Sequence, residues 1–179
     1  MRFTETKLKD AFVIEPKKLE DERGFFARAY CLREFEQRGL STRWAQCNIS
    51  FNKKRSTLRG MHWQDPPHSE IKLVRCTRGA VYDVIVDVRP GSATFKQWVG
   101  VELTDANARL LYIPQGFAHG YLTLADDVEV FYQVSEFYHP ESARSARWND
   151  PVFGIQWPAE PTVMSSKDRE AEDFTGNPP

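Results

Sequence analysis

Two residues stand out for their chemistry: His62, within Arg59-Gly60-Met61-His62-Trp63-Gln64, and Lys72, within Ile71-Lys72-Leu73-Val74-Arg75-Cys76. Both stretches read as strands rich in β-formers, yet an imidazole and an ammonium occupy places where a structural strand carries apolar or surface side chains. Imidazole suits proton transfer near neutral pH. A lysine held inside a cavity needs an anionic partner, which in a reacting site is a substrate oxyanion. The plainer readings are a half-buried strand histidine and a lysine that guards a sheet edge. Strict alternation sends Leu58, Gly60 and His62 to one face and Arg59 to the other. Arg59 and His62 can therefore line one pocket only if Gly60 marks a bulge or a close backbone approach.

A second concentration is Pro114-Gln115-Gly116-Phe117-Ala118-His119-Gly120, a tight turn with His119 on the strand that follows. The pattern P-x-G-x-x-H resembles the second motif of the cupin superfamily of small jelly rolls, and Gly60 to Gly79 falls where the first would lie. Cupins commonly hold a metal through an H-x-H pair, a Glu and the histidine of the second motif. Here the first motif is His62-Trp63-Gln64, so one histidine is missing, and Lys72 stands where an anionic ligand would help. Two imidazoles and a lysine make a poor divalent-metal site, and no metal is expected. Tyr132 shares a strand face with Val130 and Val134 and on its own reads as core. Asp168 on its own reads as an exposed turn.

The elements that must position these residues are mostly strands. Candidates are Ala11 to Glu15, Phe25 to Tyr30, Arg43 to Ser50, Thr57 to Trp63, Ile71 to Thr77, Ala80 to Val88, Phe95 to Leu103, Arg109 to Ile113, Phe117 to Leu124 and Val128 to Val134, separated by Gly, Pro and Asp clusters. Leu32 and Phe35 have helical spacing before Gly39, which predicts one short N-terminal helix over Cys31 to Arg38. In Ala80 to Val88, Tyr82, Val84, Val86 and Val88 share one face and Asp83 and Asp87 the other, the pattern of a half-buried strand. From Pro140 the chain is too irregular for sheet, and its polar end, through Gly176-Asn177-Pro178-Pro179, is expected to fray. Residues 1–179 are expected to form one all-β domain, a sandwich or barrel with an irregular C-terminal tail.

Composition narrows the function classes. Lys plus Arg number 24 against 25 Asp plus Glu, so a net charge of -1 gives no global reason to bind nucleic acid or an anionic membrane. Cys31, Cys47 and Cys76 are too few and too scattered for a disulfide framework or a zinc knuckle, which fits a reducing compartment. There is no signal-like N-terminus and no membrane-length apolar run, so a cytoplasmic location is expected.

Asp21-Glu22-Arg23-Gly24-Phe25-Phe26, Leu58-Arg59-Gly60-Met61-His62, Lys72-Leu73-Val74-Arg75-Cys76, Pro114 through Gly120, Trp148-Asn149-Asp150-Pro151 and Ser166-Lys167-Asp168, in that order, together resemble the dTDP-4-dehydrorhamnose 3,5-epimerases. That resemblance implies a cupin-type jelly roll (double-stranded β-helix), a homodimer exchanging an N-terminal strand, and epimerisation without a cofactor. The substrate it implies is a nucleotide-linked 4-keto-6-deoxy sugar, in deoxysugar biosynthesis. By the same resemblance His62 is the general base, Asp168 orients it, Tyr132 is the acid on the opposite face and Lys72 lies near the sugar oxygen. Arg23, Phe26, Arg28, Gln46, Asn48, Arg59, His119 and Lys167 fall at positions for substrate and diphosphate, and Tyr138 for the base of the nucleotide. Three positions depart from the pattern: Arg28 and Ala143 where the family often has Glu, and Cys47 where it has Asp. These departures leave the nucleotide and the number of inverted centres open, including a 3-epimerase or a CDP- or GDP-sugar epimerase. Readings from other classes are a metal-dependent cupin dioxygenase or isomerase, and a non-catalytic sugar-nucleotide binding module.

Overall fold

The computed structural model describes residues 1–176, so the expected fraying of Asn177-Pro178-Pro179 lies outside the described residues. The chain opens with β1 (Arg2–Glu5), β2 (Phe12–Glu15) and the hairpin β3 (Lys18–Asp21) and β4 (Gly24–Ala27), followed by α1 (Leu32–Glu36). Then come β5 (Gln46–Asn52), β6 (Leu58–Gln64), β7 (Lys72–Arg78), β8 (Ala80–Asp87), β9 (Trp98–Thr104), β10 (Leu110–Ile113), β11 (Phe117–Thr123), β12 (Val128–Val134) and β13 (Ala143–Ser145). A single helical turn, α2 (Ser166–Arg169), lies near the end.

The strands form two antiparallel sheets in the orders β1-β2-β10-β7-β12-β5 and β13-β6-β11-β8-β9. Apolar side chains of both pack between them, with Val74, Cys76, Leu111 and Val130 from the first sheet meeting Val81, Ile85, Phe117 and Tyr121 from the second. This is the expected all-β jelly roll of the cupin type. The open face of the larger sheet is covered by α1, whose buried Phe35 packs on Ile14, Leu73, Leu110 and Tyr112. Its predicted companion Leu32 is exposed instead, because a helix of this length turns only one residue fully inward.

Three sequence expectations change. β8 is buried on both faces, and Asp83 and Asp87 are wholly inaccessible where the alternation suggested a wet face. Asp87 is satisfied there by Arg89, Ser92 and Thr94, and Asp83 by His119. Alternation reports side but not wetness, and a paired carboxylate can occupy an inner face. β1 and β3 lie outside the predicted strands, since each is only four residues long. The tail is not free of sheet: β13 pairs with β6, and Phe153, Ile155 and Phe174 bury themselves against Met61, Trp63, Val84, Val86 and Val88. Buried Asp150 fastens this wrap by accepting the backbone N–H groups of Val152 and Phe174.

Candidate active site

The bulge demanded by the sequence is present. In the β6–β11 pair His62 faces His119 and Arg59 faces Tyr121, so three steps along β6 match two along β11. The extra residue restores Arg59 and His62 to the same side. The close approach is made possible by two glycines: a Cβ on Gly60, whose φ is +130°, would lie 2.5 Å from the Gly120 Cα, and a Cβ on Gly120 would lie 2.7 Å from the Met61 Sδ. Met61 and Trp63 enter the outer core, while Arg59, His62 and Gln64 line a cavity of about 590 Å³.

That cavity lies between the sheets and draws on both. From the smaller sheet it receives Arg59, His62 and His119. From the larger it receives Gln46 and Asn48 on β5, Lys72 on β7, and Val130, Tyr132 and Val134 on β12. His62 and Tyr132 therefore project from opposite walls. Lys72 is a cavity cation and not an edge lysine, because β7 is hydrogen-bonded between β10 and β12.

The tail contributes the third side. Leu58 N–H donates to the Val163 carbonyl, laying the tail beside the start of β6, and Ser165 then caps α2 by accepting the Asp168 N–H through its hydroxyl. The turn delivers Asp168 to His62, with Nε2 to Oδ1 at 2.6 Å across 106 residues of sequence. Burial pushes the Asp168 carboxyl up, but the hydrogen bond and charge of His62, with hydrogen bonds from the Gly60 amide and Ser165, outweigh it and hold the group below the usual carboxylate value. With Nε2 committed to Asp168, Nδ1 is the nitrogen available as a base.

The other polar groups are held as firmly. His119 places Nε2 at 2.9 and 3.0 Å from the two oxygens of Asp83. Arg59 donates to Asn52 Oδ1 at 2.8 Å, and Asn52 also joins Ser50 in a network around the buried Tyr121 hydroxyl. Burial raises Tyr132 above the ordinary tyrosine value, with Arg59 opposing, and its hydroxyl has no hydrogen-bond partner among the described residues. Such a phenol stays protonated at neutral pH.

Ten of the thirteen predicted site residues line this cavity: Gln46, Asn48, Arg59, His62, Lys72, His119, Tyr132, Tyr138, Lys167 and Asp168. Arg23, Phe26 and Arg28 do not. Arg23 pairs with Asp21 beside the β3–β4 turn, and Phe26 and Arg28 border a separate, smaller cleft with Met1 and Glu34. Of the three departures, Cys47 points away from the cavity, since Gln46 and Asn48 take the inward positions of β5, while Ala143 lines it. Gln64 also has a different role from the vacant ligand position expected of it. Its amide donates to the carbonyls of His68 and Phe137 and accepts the His139 N–H, tying two loops together. His68 and His139 stack above this tie at 3.5 Å between ring centroids, with Glu141 close to both.

The sequence reading missed Glu70, Asn52 and Asp83. Glu70 was detectable, because it precedes Lys72 by two residues and alternation puts both on one face. Asp83 and Asn52 depend on strand register, which the sequence does not display.

The family model for dTDP-4-dehydrorhamnose 3,5-epimerase matches residues 5–176. The dTDP-4-dehydrorhamnose 3,5-epimerase of Methanothermobacter thermautotrophicus is 43% identical over 99% of this chain and 96% of its own length, and that of Salmonella typhimurium 45% identical over 93% and 91%. The crystal structure of the Bacillus anthracis enzyme with TDP and PPi bound superposes with a TM-score of 0.93 at 39% identity, covering 97% of this chain and 99% of that one. Matches of this extent, on a cavity whose His62 and Asp168 are in contact, establish that the chain belongs to the dTDP-4-dehydrorhamnose 3,5-epimerase family.

Proposed function

We propose that this protein is a cofactor-independent epimerase of a nucleotide-linked 4-keto-6-deoxy sugar, with dTDP-4-dehydro-6-deoxyglucose as substrate, inverting C3, C5 or both in deoxysugar biosynthesis. The observation that carries the reading is the opposition of His62, backed by Asp168 at 2.6 Å, to Tyr132 on the other sheet. The hydrogens on C3 and C5 are α to the ketone. His62 Nδ1 removes one, the electrons move to O4 as an enolate, and Tyr132 returns a proton from the opposite face. Asp168 fixes the ring's tautomer and stabilises the imidazolium. Lys72 stabilises the charge on O4.

Arg59 and Lys167 serve the diphosphate, Arg59 by its planar fork, and Gln46, Asn48 and His119 contact the substrate. Tyr138, on the exposed rim, stacks on the base. Arg23, Phe26 and Arg28 complete the pocket of a second copy in a homodimer formed by N-terminal strand exchange; Phe25 and Phe26 on that hairpin are 51% and 66% exposed. The enzyme works in the cytoplasm, and among the described residues no helix is long and apolar enough to cross a membrane.

Incubation with dTDP-4-keto-6-deoxyglucose in deuterated water, followed by NMR, tests the reading. Deuterium is expected at C3, C5 or both, and lost in His62→Asn; no exchange in the unaltered protein would refute it, and exchange at C3 alone would define a 3-epimerase. The pairing of His62 with His119 across β6 and β11 favours one competitor, a metal-dependent cupin. Stoichiometric metal in the purified protein, lost with either histidine, would establish that instead.

A further inference from the structure

Glu70 is a buried carboxylate that the proton transfers do not use. Its side chain is 9% exposed and lines the cavity, with Oε1 2.9 Å from the Lys72 Nζ and Oε2 buried without a hydrogen-bond partner among the described residues. A buried carboxylate oxygen left without a donor is costly, and such an orphan calls for a specific explanation. Two polar side chains of the same cavity have these donors engaged elsewhere: both amide hydrogens of Gln64 go to backbone carbonyls, and His119 Nε2 is taken by Asp83.

We propose that Glu70 is a specificity-determining residue that accepts a hydrogen bond from the substrate's sugar, from the hydroxyl on C3. The assignment rests on the epimerase reading, which puts Lys72 at the C4 oxygen. Of the two carbons beside C4, C5 carries a methyl group and offers no donor, whereas C3 carries a hydroxyl. A carboxylate 2.9 Å from the Lys72 ammonium is placed to receive it. The pair then reads the ketone and its neighbouring hydroxyl together, Lys72 donating and Glu70 accepting. A substrate lacking that hydroxyl would leave Oε2 orphaned, the situation in which polar sites discriminate strongly.

The test is a cycle between residue and hydroxyl. KM and kcat are measured for the unaltered protein, Glu70→Gln and Glu70→Ala, with dTDP-4-keto-6-deoxyglucose and with its 3-deoxy analogue, for which hydrogen exchange at C5 is the readout. The dissociation constant of dTDP alone is measured in parallel. Glu70→Ala should raise KM for the hydroxylated substrate about ten- to a hundredfold while changing KM for the 3-deoxy analogue less than about threefold. Glu70→Gln, which keeps the size and a hydrogen-bonding group, should recover most of the loss. Binding of dTDP should change less than about twofold in both. Equal effects on the two sugars would overturn the proposal, as would a matching loss of dTDP affinity or no effect on either sugar. If the unaltered protein binds dTDP but exchanges neither sugar, the epimerase reading fails and the proposal fails with it; an active unaltered protein with an indifferent Glu70→Ala overturns only the proposal.

Discussion

Replacing Asp168 with Asn tests whether the tail's carboxylate acts on His62 through charge and tautomer or merely packs beneath it. When His62 takes a proton, an imidazolium forms 2.6 Å from a carboxylate whose side chain is 5% exposed, while the ring is 40% exposed. In a partly buried setting such a pair is worth a few kcal/mol, and discounting for solvent at the ring leaves about 2–3 kcal/mol that Asn cannot supply. At 1.36 kcal/mol per decade this is about a 30- to 150-fold loss in rate. The amide adds a second penalty: with its oxygen kept on the Gly60 N–H, its NH2 donates to Nε2 and selects the tautomer whose Nδ1 carries the proton, so the cavity faces an acid where the proposed mechanism needs a base. The expected order of deuterium incorporation per folded molecule is unaltered protein, then Asp168→Ala, then Asp168→Asn, although Asn is the closer match in shape. Thermal melts of all three give the folded fraction. An Asn variant within about fivefold of the unaltered protein would show that Asp168 only packs.

Other outcomes follow from the same geometry. Tyr132→Phe should slow inversion about 10²- to 10⁴-fold while deuterium exchange continues, since removal by His62 is intact; equal loss of both would take Tyr132 out of the donor role. Gly60→Ala meets the Gly120 Cα at 2.5 Å as well as a φ of +130°, whereas Gly39→Ala meets no atom within 4 Å at a φ of +66°. A cost of about 3 kcal/mol or more for the first against about 1 for the second predicts melting points separated by several degrees, and equal shifts would contradict the close-approach argument. For Asp87, burial pushes the carboxyl up but hydrogen bonds from Arg89, Ser92 and Thr94 hold it below the usual value, so its contribution is present above the unfolded Asp value near 3.9 and is lost as pH falls through the folded one. Asp87→Asn, outside the cavity, should cost about 3 kcal/mol at pH 7 and flatten the stability decline below about pH 4; an unchanged acid limb in urea titrations would reject this.

The fold was legible where the signal was local. Strand periods and Gly, Pro and Asp punctuation located β5 through β12, and Phe35 with Gly39 located α1. What escaped depends on tertiary context. β1 is a four-residue strand that exists because β2 offers it an edge. Asp83 and Asp87 looked solvent-facing because no one-strand pattern shows that His119 and Arg89 await them. The tail's aromatic residues were visible, but the surface they cover, Met61, Trp63 and the valines of β8, is the outer face of the smaller sheet, and a strand's own alternation does not show whether that face meets water or a further layer of chain.

That bulge also joins the fold to the chemistry. With regular alternation the β6–β11 pair would place either Arg59 or His62 in the cavity, and the other would enter the outer core. One added residue, admitted by two glycines in contact, puts both inside while Met61, next to His62, keeps the outer face. Met61 then forms part of the face on which Phe153, Ile155 and Phe174 pack, and the packed tail holds α2 where Asp168 meets His62. On the proposed mechanism the motif Arg59-Gly60-Met61-His62 thus carries a binding group, a geometric device, a docking contact for the tail and a base. Gly120 belongs to the same unit although it lies sixty residues away, which predicts that Gly120→Ala impairs His62-dependent exchange even in molecules that fold. The Cβ it adds lies 2.9 Å from the Arg59 carbonyl and displaces both site residues of β6 at once. A folded Gly120→Ala protein with full exchange activity would mean that the bulge serves stability alone.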